Sequence, residues 1–476
     1  MAGPMHNGHG YAKPKNAKKT FGRILGYMGK SKVFLIVVFL SLILSTVCQV
    51  GASYWLKPIL NDIETSVIAG DFMTVGIRNL VKNLIIVGAL YAGTAIFSFV
   101  QSRVMVTIAY KTTNLIRKEL FNHMQSLPLR YFDSKTHGEI MSRFTNDVDN
   151  VQMMLEQSMV QLVASAFTFI GIVAMMLYLS PLLFAIALIF LVIMIAAVTK
   201  IGKQSRKYFR EQQKELGIMN GNIEETVEGL KVVKVFNHEE KIVDEFEACN
   251  NNFRKAATNA NFYAGVMGPS STGINNASYA TIALAGGLMT LVSGFDIGTY
   301  FTFLSYSRQF TQPINQIANQ MNTIFSALAG AERVFEIMDM QPETDEGTVT
   351  ITEKNENGER KWYWNDAGKL TPVEGNVVFT DVNFSYVPEK PVLKNISLYA
   401  KHGQKIAFVG STGAGKTTIT NLINRFYDIQ DGTITYDGID IKRIKKDDLR
   451  RSLSIVLQDT HLFTGTVMDN IRYGRL

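Results

Sequence analysis

The chain has 476 residues, about three times the usual span of one domain. Hydrophobic residues make up 47% and charged residues only 19%, which excludes a disordered or collagen-like chain. Two cysteines, Cys48 and Cys249, exclude a disulfide scaffold and a multi-thiolate metal site. The net charge of +7 would point toward nucleic acid in a soluble chain; in a membrane chain its placement reports orientation instead.

The first 32 residues are polar and basic, with no cleavable signal pattern. They read as a cytoplasmic tail and elbow. Four charge-free runs follow, Val33–Trp55, Leu84–Val100, Met159–Leu179 and Leu182–Val198. Each approaches the ~20 residues a helix needs to cross the bilayer core. A fifth span is expected around Phe262–Val292 and a sixth, rich in amides, at Tyr300–Thr323. Six transmembrane helices within 33–328 are the expectation.

Basic residues set the sidedness. Seven fall in 103–157 and eleven in 200–260, whereas the connections at 180–181 and 293–299 carry none. Both long loops, and with them both termini, are therefore expected in the cytoplasm. The loops have few Pro or Gly and show helical periodicity, so they read as extensions of the membrane helices. The positive charge needs no nucleic-acid partner.

On the sixth span Arg308, Gln312, Asn315, Asn319 and Asn322 recur at steps of four, three, four and three, which places them on one helix face. A central Arg against lipid costs about 2.5–3.5 kcal/mol, so this face should meet water or protein. Lining a transport path and hydrogen-bonding between helices are both open. Asn275 and Tyr279 on the fifth span carry the same two alternatives.

After Leu328 the pattern changes. Residues 329–375 read as a polar linker with a small hairpin around Trp362-Tyr363-Trp364. From 376 onward short β-rich runs alternate with turn signals: Val377–Phe379, Ile396–Tyr399, Ile406–Val409, Thr433–Tyr436 and Leu453–Leu457. This reads as an α/β domain. Its strongest motif, Gly410-Ser411-Thr412-Gly413-Ala414-Gly415-Lys416-Thr417-Thr418, matches the phosphate-loop pattern G-x-x-x-x-G-K-[ST]. A buried strand at Lys405–Val409 and a helix from Thr417 to Phe426 are the context it requires. Backbone N–H groups and the helix N-terminus would face phosphate oxygens. Lys416 would supply charge to the β- and γ-phosphates, and Thr417 a hydroxyl to Mg²⁺.

With these features the chain resembles an ABC exporter half-transporter, its membrane domain fused ahead of its nucleotide-binding domain. The resemblance implies a six-helix membrane domain of the type I exporter fold, followed by a truncated α/β P-loop nucleotide-binding domain over 376–476. It implies ATP and Mg²⁺ as cofactors, a second half-transporter as partner in a homodimer or heterodimer, and the plasma membrane as location. Tyr386 falls where the family stacks an aromatic ring on adenine; a core tyrosine is the alternative. Gln458 resembles the family's glutamine that touches Mg²⁺ or the attacking water. Gly138, Glu139, Arg143 and Asp147 look like the first coupling region, and Glu225 and Gly229 like the second.

The chain to Leu476 contains no signature sequence, no Walker B carboxylates and no switch histidine, so no catalytic residue is identifiable in it. The implied function is an ATP-binding and permease subunit that couples hydrolysis to export of a small amphipathic molecule, lipid or peptide. The alternative is a truncated, non-catalytic membrane subunit that binds or interferes with a partner half-transporter.

Overall fold

The computed structural model describes residues 14–356, 358–456 and 461–474. The chain folds as two compact units, one of residues 1–116 with 146–332, the other of 117–145 with 333–476.

The helices, in chain order, are α1 (Ala17–Met28), α2 (Lys32–Tyr54), α3 (Leu56–Ala69), α4 (Ile77–Gln125), α5 (Leu129–Asp133), α6 (His137–Ser142), α7 (Val148–Met153), α8 (Met159–Leu179), α9 (Pro181–Glu228), α10 (Leu230–Val235), α11 (Glu239–Ser293), α12 (Ile297–Gln309) and α13 (Gln312–Met338). Among the described residues four helical segments are long and apolar enough to cross a membrane: Lys32–Ala69, Phe72–Gln125, His137–Leu179 and Pro181–Glu228. They contain the four charge-free runs. The chain is a membrane protein with an apolar helical domain.

The fifth expected span lies inside α11, a 55-residue helix with Pro269 in its interior. The sixth is not continuous. It is split into α12 and α13 at Phe310–Thr311, where Pro313 enters the first turn of α13 and has no N–H to offer the preceding turn. Neither helix meets the length and hydropathy that mark the other four: α12 is only 13 residues long, and amides dilute α13.

In the first unit, the reversal between α8 and α9 takes one residue outside helix, Ser180. Its extended backbone and its hydroxyl, which accepts from the Leu183 N–H at 3.4 Å, cap α9, and Pro181 at the first position cannot continue α8. The core joins Ile172 and Met176 of α8, Leu183 of α9, Ile282 of α11 and Phe303 and Tyr306 of α12. Tyr306 donates its hydroxyl to the Val50 carbonyl at 2.7 Å, so its burial leaves no polar atom stranded. The chain before α1 is tied down by Glu332, whose carboxylate accepts from the Lys15 and Asn16 N–H groups at 2.8 and 2.9 Å.

The second unit holds two antiparallel sheets. Strands β1 (Thr350–Glu356), β2 (Glu359–Asp366) and β3 (Lys369–Pro372) form a meander where the sequence suggests a linker with a hairpin. Strands β4 (Val377–Val387), β5 (Lys390–Ala400), β6 (Asp431–Tyr436) and β7 (Ile439–Asp440) pair in the order β5-β4-β6-β7. Helices α14 (Lys416–Ile423), α15 (Lys446–Ser452) and α16 (Val467–Ile471) complete the unit. Asp437 and Gly438, both at positive φ, make the tight turn between β6 and β7. The Asp437 carboxylate accepts from Trp364 Nε1 and from the N–H groups of Glu374, Gly375 and Asn376, all within 3.1 Å. One turn residue thus joins the meander to the larger sheet, over a core of Trp364, Phe379, Ile434 and Leu422.

Three sequence expectations are corrected by the structure. Lys405–Val409 is not a buried strand: it carries no ladder and Val409 is 94% exposed. Residues 453–456 likewise form no strand. A strand is defined by hydrogen-bonded neighbours, and among the described residues neither segment has one. The helix expected to reach Phe426 ends at Ile423, because Arg425 turns to positive φ and sends its guanidinium inward to the Ile441 and Ile444 carbonyls.

Beside that turn, Glu343 receives a two-pronged contact from Arg450, at 2.9 and 2.7 Å, and a third from Lys446 at 3.1 Å. Burial raises its pKa, but the hydrogen bonds and charges of Arg450 and Lys446 outweigh that and hold it below the ordinary value of 4.5. A carboxylate with a lowered folded pKa stabilises the fold above its unfolded pKa and loses that contribution as pH falls through the folded one. Glu343→Gln should therefore lower the thermal unfolding midpoint at neutral pH and flatten its fall below ~pH 4.5. Calorimetry over a pH series checks both; parallel curves for the two proteins would contradict the assignment.

Candidate functional site

The phosphate-loop residues lie together. Gly410–Gly415 form a loop, exposed up to Ala414 and buried at Gly415, that runs into α14, whose first residue is Lys416. Gly413 and Gly415 have φ of +87° and +89°, a region that L side chains rarely adopt. A Cβ on Gly415 would also meet Leu393 Cδ2 at 2.7 Å. The cradle therefore needs glycine for both conformation and space. Lys416 Nζ donates to the Gly410 and Ser411 carbonyls, each at 2.8 Å. Thr417 is exposed at the start of the helix and Thr418 is buried. This arrangement fits a nucleotide phosphate chain with Mg²⁺: N–H groups converge at a helix start, an ammonium arches over the loop, and Thr417 presents an exposed hydroxyl.

Tyr386, on β4, is brought to this loop. Its hydroxyl donates to Thr418 Oγ1 at 3.3 Å and accepts from Asn421 Nδ2 at 3.3 Å. Its ring meets those of Phe384 and Tyr427 edge-on, each with centroids 4.9 Å apart. Gln458 lies outside the described residues.

Of the first coupling region, Gly138 and Glu139 belong to α6, which Thr136 caps by accepting the Glu139 N–H at 3.2 Å. The Glu139 carboxylate accepts from Lys135 and Arg143, each at 3.0 Å. The Lys135 hydrogen bond leads the causes that hold its pKa below the ordinary glutamate value. Asp147 is buried, with Gly330 so close that a Cβ there would lie 3.2 Å from its Oδ1. Of the second region, Gly229 ends α9 by donating its N–H to the Glu225 carbonyl at 2.9 Å. Beyond it α10 and its C-cap expose Val232, Val235 and Phe236, the last two by 74% and 65%.

Along the broken sixth helix, Arg308, Gln312, Asn315, Asn319 and Asn322 are all exposed. The Arg308 guanidinium lies 4.4 Å from the centre of the Tyr279 ring, and Asn275 Oδ1 accepts from the Thr311 hydroxyl at 3.2 Å. The neighbouring face of the same helix was not anticipated. Gln309 and Gln316 line a cavity of about 500 Å³ with Gln161 and Ser165. Gln309, Gln312, Gln316 and Gln320 at steps of three, four and four were the available signal.

Sequence comparison agrees with this geometry. The chain matches the ABC transporter transmembrane region over residues 35–314 and the ABC transporter nucleotide-binding family over 393–474. The chain belongs to the ABC exporter family. An uncharacterised ABC transporter ATP-binding protein of Bacillus subtilis is 40% identical over 98% of this chain and 73% of its own length. A fatty acid ABC transporter ATP-binding/permease protein of Mycobacterium tuberculosis is 36% identical over 83% of this chain. An ATP-dependent lipid A-core flippase of Syntrophus aciditrophicus is 30% identical over 89% of this chain and 66% of its own length. The chain spans 59% of the length of the mycobacterial relative. ABC exporters act as dimers in a lipid bilayer, and the nucleotide-binding family hydrolyses ATP.

Tyr427 is the residue this exporter's sequence did not advertise. It packs against Tyr386 and donates its hydroxyl to Asp133, at the end of α5. Burial first, and then the Asp133 carboxylate, push the phenol above its ordinary pKa, so it stays a donor at neutral pH. Removing that donor with Tyr427→Phe should reduce amide protection across 129–142 by about tenfold, the equivalent of one charge-assisted hydrogen bond. Hydrogen exchange read by mass spectrometry tests this; unchanged protection would show that the contact holds nothing in place.

Proposed function

We propose that this chain is the ATP-binding and permease subunit of an exporter that couples ATP hydrolysis to outward movement of an amphipathic molecule or lipid. The observation that carries the reading is the glycine-built phosphate loop opening α14, with Tyr386 hydrogen-bonded to that same helix. The relatives named for fatty acid and for lipid A-core favour a lipid-like cargo.

In this reading residues 1–32 are a cytoplasmic tail and elbow, 33–328 the transmembrane domain with coupling loops at 103–157 and 200–260, 329–375 a linker, and 376–476 part of the nucleotide-binding domain. Both termini face the cytoplasm of a plasma membrane. Lys416, now on the Gly410 and Ser411 carbonyls, would turn to the phosphates that Gly410–Thr418 would wrap. Thr417 and Gln458 would hold Mg²⁺, and Tyr386 would support the adenine. When bound, Mg-ATP supplies the phosphoryl group whose release powers the cycle.

Gly138, Glu139, Arg143, Asp147, Glu225 and Gly229 shape the segments that carry nucleotide-driven closure to the membrane helices. The apolar Val232, Val235 and Phe236 are a surface that water disfavours, which supports a second subunit as their cover. Arg308, Gln312, Asn315, Asn319, Asn322, Asn275 and Tyr279 line the path.

The test is ATP hydrolysis and transport by the protein extracted from its native membrane and reconstituted in vesicles. Lys416→Ala should lower both by about a hundredfold or more, because it removes the phosphate-facing charge. Unchanged turnover in the variant would overturn the reading, as would wild-type protein that neither hydrolyses ATP nor moves a lipid.

A further inference from the structure

Two cavities of the first unit share a lining residue, Thr46. The first, about 500 Å³, lies among α2, α4, α8 and the α12–α13 break, within the range of sites for small organic molecules. Its wall is unusually polar for a helix bundle in lipid. Gln49, Gln101, Gln161, Gln309 and Gln316 all reach it, and several are fixed by contacts between helices. Gln316 Oε1 accepts from Gln161 Nε2 at 2.9 Å and from Ser165 Oγ at 2.8 Å. Gln309 Nε2 donates to Ser53 Oγ at 3.2 Å. A wall of carboxamides and hydroxyls both donates and accepts hydrogen bonds.

One charged side chain lines this cavity, Glu156, and no Lys or Arg does among the described residues. Glu156 is half-buried in a π-helical turn, Met154–Ser158, immediately before the charge-free run of α8. Such turns shift side chains out of α-helical phase and recur at functional sites. An ionisable residue beside a membrane span costs free energy unless it has a use. The second cavity, about 450 Å³, is lined by Val47, Val50, Phe167, Ile170, Ala174 and Met175 among others, nearly all apolar. The two share Thr46 and both lie between α2 and α8.

From this pairing we infer that the membrane unit holds a single-tailed cationic amphiphile, its protonated amine head among the carboxamides beside Glu156 and its alkyl tail in the apolar cavity past Thr46. The inference rests on the exporter reading and adds the charge and shape of the cargo. A carboxylate head would face Glu156 with no counter-cation in the wall, whereas an ammonium gains a charge partner and acceptors for each N–H. The apolar cavity, lined along α2 from Ile43 to Tyr54 and along α8 from Phe167 to Met175, would take a hydrocarbon chain without leaving a polar group unpaired.

The experiment compares two probes of equal chain length and opposite charge, radiolabelled dodecylamine and radiolabelled laurate. They are titrated into the purified full chain in phosphatidylcholine nanodiscs, with empty nanodiscs as the baseline. Dodecylamine should bind saturably and about tenfold more tightly than laurate at neutral pH. Glu156→Gln should erase that preference and Glu156→Lys reverse it. Ala174→Phe, at an exposed position that narrows the apolar cavity, should weaken both probes while keeping their order. Equal binding of the two probes, tighter laurate, or a preference that survives both Glu156 variants would overturn the inference. ATP hydrolysis on the same preparation separates the two readings. Hydrolysis with no amine preference sinks only the cargo assignment; amine preference without hydrolysis in the native assembly sinks the exporter and leaves the site.

Discussion

Inside a bilayer no water satisfies backbone N–H and C=O groups, so each must find its partner within its own helix. Most of the membrane unit follows from that constraint. Helices run long, and the places where they stop or break are places where another group takes over. Ser180 caps α9 where Pro181 forbids continuation of α8. Pro313 opens α13 and leaves a break at Phe310–Thr311. Around that break stand the glutamines whose side chains tie α12 to α2 and α13 to α8. A broken helix at membrane depth is tolerated where it faces protein or a polar cavity, and the cavity lined by Gln309 and Gln316 is such a place.

The same continuity produces levers. At about 1.5 Å per residue, the 48 residues of α9 and the 55 of α11 are each more than twice what a span of ~20 residues requires. The excess of α9 stops at Gly229 before α10, and that of α4, 49 residues long, gives way to α5 and the Thr136-capped α6. The two tips differ in chemistry. Segment 135–143 is pinned by the Lys135–Glu139–Arg143 cluster, while the α10 tip is exposed and apolar. One is held by charge, and the other leaves Val232, Val235 and Phe236 exposed.

The four apolar spans were legible because a helix without charge over ~20 residues has no face to offer water and so belongs in lipid. The phosphate loop was legible because its chemistry is local: glycines, one lysine and one hydroxyl, contiguous in the chain. What stayed hidden depends on distant partners. The run Lys405–Val409 has strand composition but no paired neighbour among the described residues, so its pattern alone could not make it a strand. The Arg308 face was visible as a period. The adjoining Gln309–Gln316 face meets its partners only when Gln161 and Ser53, 155 and 256 residues away, fold against it. Tyr427 offers no motif at all; its role follows from Asp133 and Tyr386 lying on either side of it.

Those last contacts bear on how a bound nucleotide could be felt elsewhere in the second unit. Tyr386 is hydrogen-bonded to Thr418 and Asn421 on the phosphate-loop helix, and its ring meets Tyr427, which bonds Asp133. Every link is side chain to side chain, and the rings meet edge-on, so a shift of Tyr386 cannot be absorbed by sliding along a stacked face. Lys416 adds a second constraint. It already satisfies the Gly410 and Ser411 carbonyls, so phosphate must offer it more than two neutral acceptors do. An anionic oxygen adds Coulomb attraction to the ammonium that a neutral carbonyl does not, which would favour the exchange. The loop ahead of α14 could therefore rearrange around phosphate while Tyr386 stays held by Thr418, Asn421 and Tyr427.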